Sequence, residues 1–283
     1  MMISIPWWVK IGAKIILSRL PLAYSIWQKL GLFRHGKMDQ SAYVISVFNA
    51  HGEWVGLKSH LKNRVILELG PGDSIATAIV AACYGAKTIL IDSGEYISKD
   101  IDFYISLAED LRKLGHEPPD LSAIKNIGDI LDLCEASYYS EGLVSLKEIP
   151  QDSVDLIFSQ AVLEHIREHE FLETMLECKR VLKITGRASH RIDLKDHLGG
   201  GLNNLRFSKR VWESDFFVNS GFYTNRIRFS KMINLMREAG FEILSSHVNR
   251  WDTIPIERSK LVADFVQESD DNLLIKEFNV VLK

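Results

Sequence analysis

Two histidines, an arginine and two carboxylates crowd one short run, Ser189-His190-Arg191-Ile192-Asp193-Leu194-Lys195-Asp196-His197. A histidine within hydrogen-bond reach of a hydroxyl is the usual base for removing its proton, and a nearby carboxylate can orient the ring. His190 and Asp193 are therefore a candidate base and orienting acid, the alternative being a plain polar loop, while Arg191 and His197 are candidate substrate contacts. His165 is a further candidate for catalysis or substrate contact, with a structural role at a helix start as the alternative. His169, one helical turn on, reads as a solvated residue. Mixed ligands at such irregular spacing make a poor metal site, so no metal is expected. Arg226 and Arg228 fall in a later basic stretch, where forked guanidinium groups suit phosphate or carboxylate.

These residues need a frame. Val65-Ile66-Leu67-Glu68-Leu69 is a short apolar run suited to a strand buried on both faces, and it leads into Gly70-Pro71-Gly72-Asp73. Residues 75–85 are alanine-rich and read as a helix stopped by Gly85, and Lys87 to Asp92 as a second strand ending in an acid. In such a unit the glycines let the backbone approach a ligand, and the acid, Asp92, can accept bonds from ribose hydroxyls. The dinucleotide fingerprint would put a third glycine where Ile75 stands. Further on, a fourth strand precedes a helix running to about Lys179, and residues 180–187 read as the turn before a fifth strand. That strand carries the histidine run to the carboxyl edge of the sheet, where open α/β folds bind ligands. A helix over Ile233 to Ala239, a strand over Phe241 to Val248 and a last strand over Glu277 to Leu282 complete the pattern.

Glu68-Leu69-Gly70-Pro71-Gly72 resembles motif I of the Rossmann-like S-adenosylmethionine-dependent methyltransferases, with Ser74 where many members carry a third glycine. Ser153 to Ile166, SVDLIFSQAVLEHI, resembles their motif IV, and Arg180 to Arg187 resembles the turn before their strand five. The resemblance implies a mainly parallel seven-stranded sheet flanked by helices, with S-adenosylmethionine as cofactor. It places Glu68, Gly70, Gly72 and Asp73 along the methionine end of the donor and Ser159 and Gln160 near the reacting centre, while Asp92 holds the ribose. Adenine contacts should fall within Ile124 to Glu148, where Asp129, Leu131, Ser145 and Leu146 cannot be ranked. The run HRIDLKDH, with Asn225-Arg226-Ile227-Arg228, looks like bacterial methyltransferases of polysaccharide biosynthesis. The expected activity is O-methylation of a glycan, glycolipid or related cell-envelope precursor. A non-catalytic S-adenosylmethionine binder at a membrane surface and an NAD-dependent oxidoreductase are the rival readings.

Composition bounds these readings. The chain has 283 residues, 46% of them hydrophobic, and a net charge of −3 from 34 basic and 37 acidic side chains. That balance gives no whole-chain reason to expect nucleic acid. Three widely spaced cysteines without a C-x-x-C pair suggest neither a disulfide framework nor a zinc site, and point to a reducing, cytoplasmic setting. Residues 1–60 read as an N-terminal amphipathic helical segment and 61–283 as the methyltransferase domain, with a lid-like insertion at 195–231. Residues 1–37 carry six basic side chains and no acidic one beside Trp7, Trp8 and Trp27. Lys10, Lys14 and Ser18 fall on one helical stripe, so the segment could either pack on the domain with its lysines solvated or make peripheral contact with a membrane. Its charges break the apolar run too early for a span. The acceptor is expected to be a small molecule or glycan, and the oligomeric state is left open.

Overall fold

The computed structural model describes residues 6–20, 38–56 and 61–283. Of the N-terminal expectations, those on residues 1–5, 21–37 and 57–60, Trp27 among them, lie outside the described residues.

Two helices come first, α1 (Trp7–Leu17) and α2 (Ser41–Trp54). The chain then alternates through β1 (Val65–Leu69), α3 (Ala76–Ala82), β2 (Lys87–Ile91), α4 (Ile101–Lys113), α5 (Ile127–Leu133), β3 (Ala136–Tyr139), α6 (Leu143–Glu148), β4 (Val154–Gln160), α7 (Glu168–Val181) and β5 (Leu182–Asp193). Beyond β5 lie α8 (Phe229–Glu238), β6 (Ile243–Arg250) and β7 (Ile275–Leu282), with short helical turns in the connections. The strands form one sheet in the order β3-β2-β1-β4-β5-β7-β6. The first five strands run parallel, and β7 is antiparallel to both β5 and β6. A dinucleotide-binding sheet runs 3-2-1-4-5-6, so the reversed seventh strand wedged between β5 and β6 argues against the oxidoreductase reading.

Alternation along the strands sorts the core into two layers. Ile66, Leu90, Leu156 and Phe158 face α2, α3 and α4, whereas Leu67, Ile157, Ala188 and Ile192 face α7 and α8. β1 and β4 are central and buried on both sides, which is why their sequences are nearly continuous apolar runs. The turn expected at 180–187 is instead a direct passage from α7 into an irregular start of β5, where the register to β4 shifts between Val154 and Leu156.

The connection from β5 to α8 folds into a cover built on Trp212, which is fully buried among Leu198, Phe222 and Tyr223. Trp7, Ile11 and Ile15 of α1 pack on this cluster. Lys14 is not solvated as the stripe suggested: its Nζ donates to the carbonyls of His197 (3.3 Å) and Gly221 (3.2 Å), and burial lowers its pKa. Arg19 reaches the carbonyl of Phe216 (2.8 Å) and the hydroxyl of Ser220 (3.4 Å). The long β6–β7 connection backs the cover from the other side, with Ile256, Leu261 and Leu273 against Leu202 and Leu205.

Candidate active site

The donor side is built at the carboxyl ends of β1 and β2. Gly70 and Gly72 have φ of +68° and +66°, a region that side-chain-bearing residues avoid. A Cβ on Gly70 would lie 2.4 Å from Cγ2 of Val162, so this position needs both the freedom and the smallness of glycine. The turn is tied down from β2: the Gly70 N–H donates to the Ile91 carbonyl (2.8 Å) and the Gly72 N–H to Asp92 Oδ2 (2.9 Å). Asp92 Oδ1 accepts from the Ser93 N–H at 2.7 Å.

Glu68 lies below the turn, 1% exposed. Burial raises its carboxyl to about 8, with the negative charge of Asp92 adding to the effect. Its Oε2 is buried without a protein partner. An orphaned acidic oxygen beside a glycine turn suits the ammonium of a bound amino-acid moiety, and Asp92 suits a sugar, so the residues fit S-adenosylmethionine. Asp73 is buried, and its carbonyl accepts from the Ser98 N–H at 2.8 Å. Within the region expected to meet adenine, Asp129 joins Asn126 in a helix cap, Ser145 accepts from the Glu141 N–H, and Leu146 is in the core.

The acceptor side is where the structure corrects the sequence. His190 and Asp193 cannot form a dyad: side chains three apart on β5 leave opposite faces of the sheet. His190 is fully buried under α7 and α8, its Nδ1 bonded to Ser159 Oγ at 2.8 Å, and burial lowers its pKa to about 3. Ser159, equally buried, points to that ring. Arg226 and Arg228 are also corrected from substrate ligands to structural groups. Arg226 donates to the Phe207 carbonyl (2.6 Å) and lies over Trp212 and Phe265. Arg228 is 3% exposed and donates to the carbonyls of Leu194 (2.9 Å), Asn272 (3.0 Å) and Ile275. Burial lowers its pKa to about 10.

Of the other expected residues, His165 and His197 meet each other, and Arg191, Asp193 and Gln160 meet residues that were not expected. Arg191 pairs with Glu277 of β7 at 3.0 Å, and Asp193 pairs with Lys195 at 3.2 Å. Gln160, half-buried at the end of β4, accepts from or donates to two α2 residues: His51 Nε2 at 3.1 Å and Tyr43 Oη at 3.3 Å. His51 Nδ1 meets Ser189 Oγ at 2.8 Å, and burial lowers its pKa to about 4. His165 is exposed and in contact with the ring of His197, at 4.8 Å between centroids. Its Nδ1 donates to the Tyr223 carbonyl at 2.9 Å, which leaves the lone pair of the neutral ring on Nε2. His197 is largely withdrawn from water, and burial lowers its pKa to about 4.

Tyr43, His51, Glu164 and Glu277 were not singled out from the sequence. Glu164 is the one that carried a signal, as a lone acid inside the apolar run 161–166. It is 1% exposed, burial raises its carboxyl to about 8, and Oε1 accepts from the Asp193 N–H at 3.2 Å. Its Oε2, Asn204 Oδ1, Arg226 Nε and Arg228 Nε are all buried without a protein partner, and all four residues line one small polar hollow beneath the cover. Two acceptors and two donors around one hollow are complementary to ordered water. Among the described residues no cluster of histidine, cysteine and acidic side chains is suited to a metal ion.

Comparison with known proteins bears on this geometry. Residues 123–189, from before α5 into β5, match a family described as a methyltransferase domain. No curated protein matches the chain. Among solved structures, it is similar to an S-adenosylmethionine-dependent methyltransferase from Archaeoglobus fulgidus, with 11% identity and a TM-score of 0.46 over 85% of this chain and 94% of that one. It is also similar to one from Mesorhizobium loti, at 15% identity and a TM-score of 0.46 over 83% and 99%. A geranyl diphosphate C-methyltransferase from Streptomyces coelicolor, solved with Mg2+, geranyl diphosphate and S-adenosyl-L-homocysteine, gives 12% identity and a TM-score of 0.45 over 83% and 78%. Likeness at this level says nothing about substrate. The strands thus follow the order of a Rossmann-like methyltransferase fold, and residues 123–189, across the sheet's centre, match a methyltransferase domain.

Proposed function

We propose that the chain methylates an oxygen of a polar, glycan-type acceptor, bound between the ends of β4 and β5 and the underside of the cover, with His165 as the base. The observation that carries this reading is the setting of His165: an exposed ring on the loop after β4, with its tautomer fixed by the cover's Tyr223 carbonyl. Bound at Glu68, Gly70, Gly72, Asp73 and Asp92, S-adenosylmethionine would supply a methyl group on a positively charged sulfur. The chain's own work is orientation and proton removal. Gln160, held by Tyr43 and His51, and Arg191 and Asp193, held in ion pairs, present hydrogen-bonding groups of both signs along the same edge. Such a mixed lining suits the many hydroxyls of a sugar better than an apolar acceptor. Nε2 of His165 takes the proton as the acceptor oxygen gains the methyl group.

Replacing a general base typically costs about 100-fold or more in rate. His165→Ala should therefore lower turnover with envelope glycan acceptors about 100-fold while leaving donor affinity, read by calorimetry, unchanged. Full turnover in His165→Ala rejects the base assignment. Donor binding with no methyl incorporation into any glycan fraction rejects the acceptor class.

A further inference from the structure

We propose that the outward face of α1 rests on an anionic lipid surface. At 100° per residue, the side chains of Trp7, Ile11 and Ile15 share one side of this helix and pack on the cover. The opposite arc is formed by Val9, Gly12, Ala13 and Ile16, with Trp8 at its edge and Leu20 just past the end of the helix. It is apolar as well, and it faces outward, with Trp8 62% and Ile16 66% exposed. A Cβ built on Gly12 would meet nothing within 4 Å, so this side of the helix is open. Phe216, 52% exposed under the guanidinium of Arg19, extends the patch onto the cover.

A surface helix ordinarily turns polar residues outward, and single exposed apolar residues are commonplace, but a continuous outward stripe of them marks a contact surface. The inversion has a physical cause. The cations that would have made the outer face polar are drawn away: Lys14 is bonded to cover carbonyls, and Arg19 is folded back onto Ile15, Phe216 and Ser220.

Charge selects the occupant. Residues 6–20 hold Lys10, Lys14 and Arg19 without an acid, and Arg206 of the cover lies over the Trp7 ring of the same helix at 5.2 Å. A second copy would bring two such positive regions together, whereas anionic headgroups complement them. A tryptophan flanked by apolar side chains and lysines is the makeup of a helix lying in the interface plane. Among the described residues no helix is long and apolar enough to cross a membrane. This contact requires neither donor nor acceptor, so it stands or falls apart from the reaction.

Flotation of the full chain with vesicles tests it. The chain should float with phosphatidylcholine vesicles containing roughly one-fifth phosphatidylglycerol and not with phosphatidylcholine alone, and high salt should release it, because screening weakens headgroup attraction. Trp8→Gln combined with Ile16→Gln should cut the bound fraction about ten-fold at an unchanged melting temperature, since both side chains are already in water. Lys10→Glu should weaken binding without touching the apolar stripe. Equal flotation of wild type and the double variant overturns the proposal, as does wild type that never floats. A concentration-dependent dimer in light scattering, abolished by the same pair of substitutions and without flotation, assigns the face to a second copy and also overturns it.

Discussion

The two halves of the site are made differently. At the donor half, contacts span little sequence: Gly70 to Ile91, and Gly72 to Asp92 twenty residues on, all within one strand-turn-helix-strand unit. At the acceptor half, each group is held from far away: Gln160 by Tyr43 and His51, Arg191 by Glu277, and His165 by Tyr223. The first half is thus a local device that its own loop can shape. The second exists only once the N-terminal helices, the cover and the last strand have docked.

That contrast can be broken or sharpened by substitution. The largest expected effect is Arg228→Ala, which unbonds the carbonyls of Leu194, Asn272 and Ile275 in a buried site. Each lost charge-assisted bond in such a place costs about 1–3 kcal/mol, and the total should approach roughly 4 kcal/mol by urea unfolding. Donor affinity in the surviving folded fraction should stay the same; if affinity falls with stability, the halves are not separable. Gly70→Ala should do the converse. A left-handed alanine costs about 1–2 kcal/mol and the overlap with Val162 adds about 1–3, so donor binding should be lost along with roughly 3 kcal/mol of stability. Val162→Ala in the same chain should recover part of both, which a purely conformational penalty would not allow.

Asp92→Ala should weaken the donor by about 10–100-fold in calorimetry, the worth of one charged acceptor, with little change in acceptor affinity. The smallest effect concerns Glu164. Its folded carboxyl titrates near 8, above the unfolded value, so its contribution is full at low pH and is lost as pH rises through about 8. Wild-type melting temperature should therefore fall between the ordinary carboxylate value near 4.5 and about pH 8, and Glu164→Gln should flatten that fall by a few degrees, the remainder belonging to Glu68. Buried His51 and His190 and half-buried His197 act in the opposite sense, since they are lowered: their contribution is lost as pH drops below the ordinary histidine value toward about 4, and for His190 about 3. An unchanged pH slope in Glu164→Gln would mean that this carboxyl is already ionised in the folded state.

What could be read beforehand follows the same division. β1, its glycine turn and β2 were legible because a doubly buried strand leaves a continuous apolar run and a left-handed turn demands glycine. The acceptor side was not, for two physical reasons. Pattern alone assigned His190 and Asp193 to one site, although strand alternation separates them once the segment is known to be β5 and not a loop. Arginine also signals equally an anion bound or a set of buried carbonyls, and only the distant partners of Arg226 and Arg228 tell the two apart. The β6–β7 connection, residues 251–274, left no periodic trace, since its helical turns are three to five residues long.

The bonds from Lys14 to the carbonyls of His197 and Gly221, and from Arg19 to that of Phe216, rivet α1 to the roof of the acceptor chamber at both of the roof's ends. The roof cannot swing without dragging the helix along. A load applied to α1 from outside is therefore felt at Tyr223 and, through it, at the imidazole it orients, which on the function proposed above makes the helix a handle on the reaction at a distance.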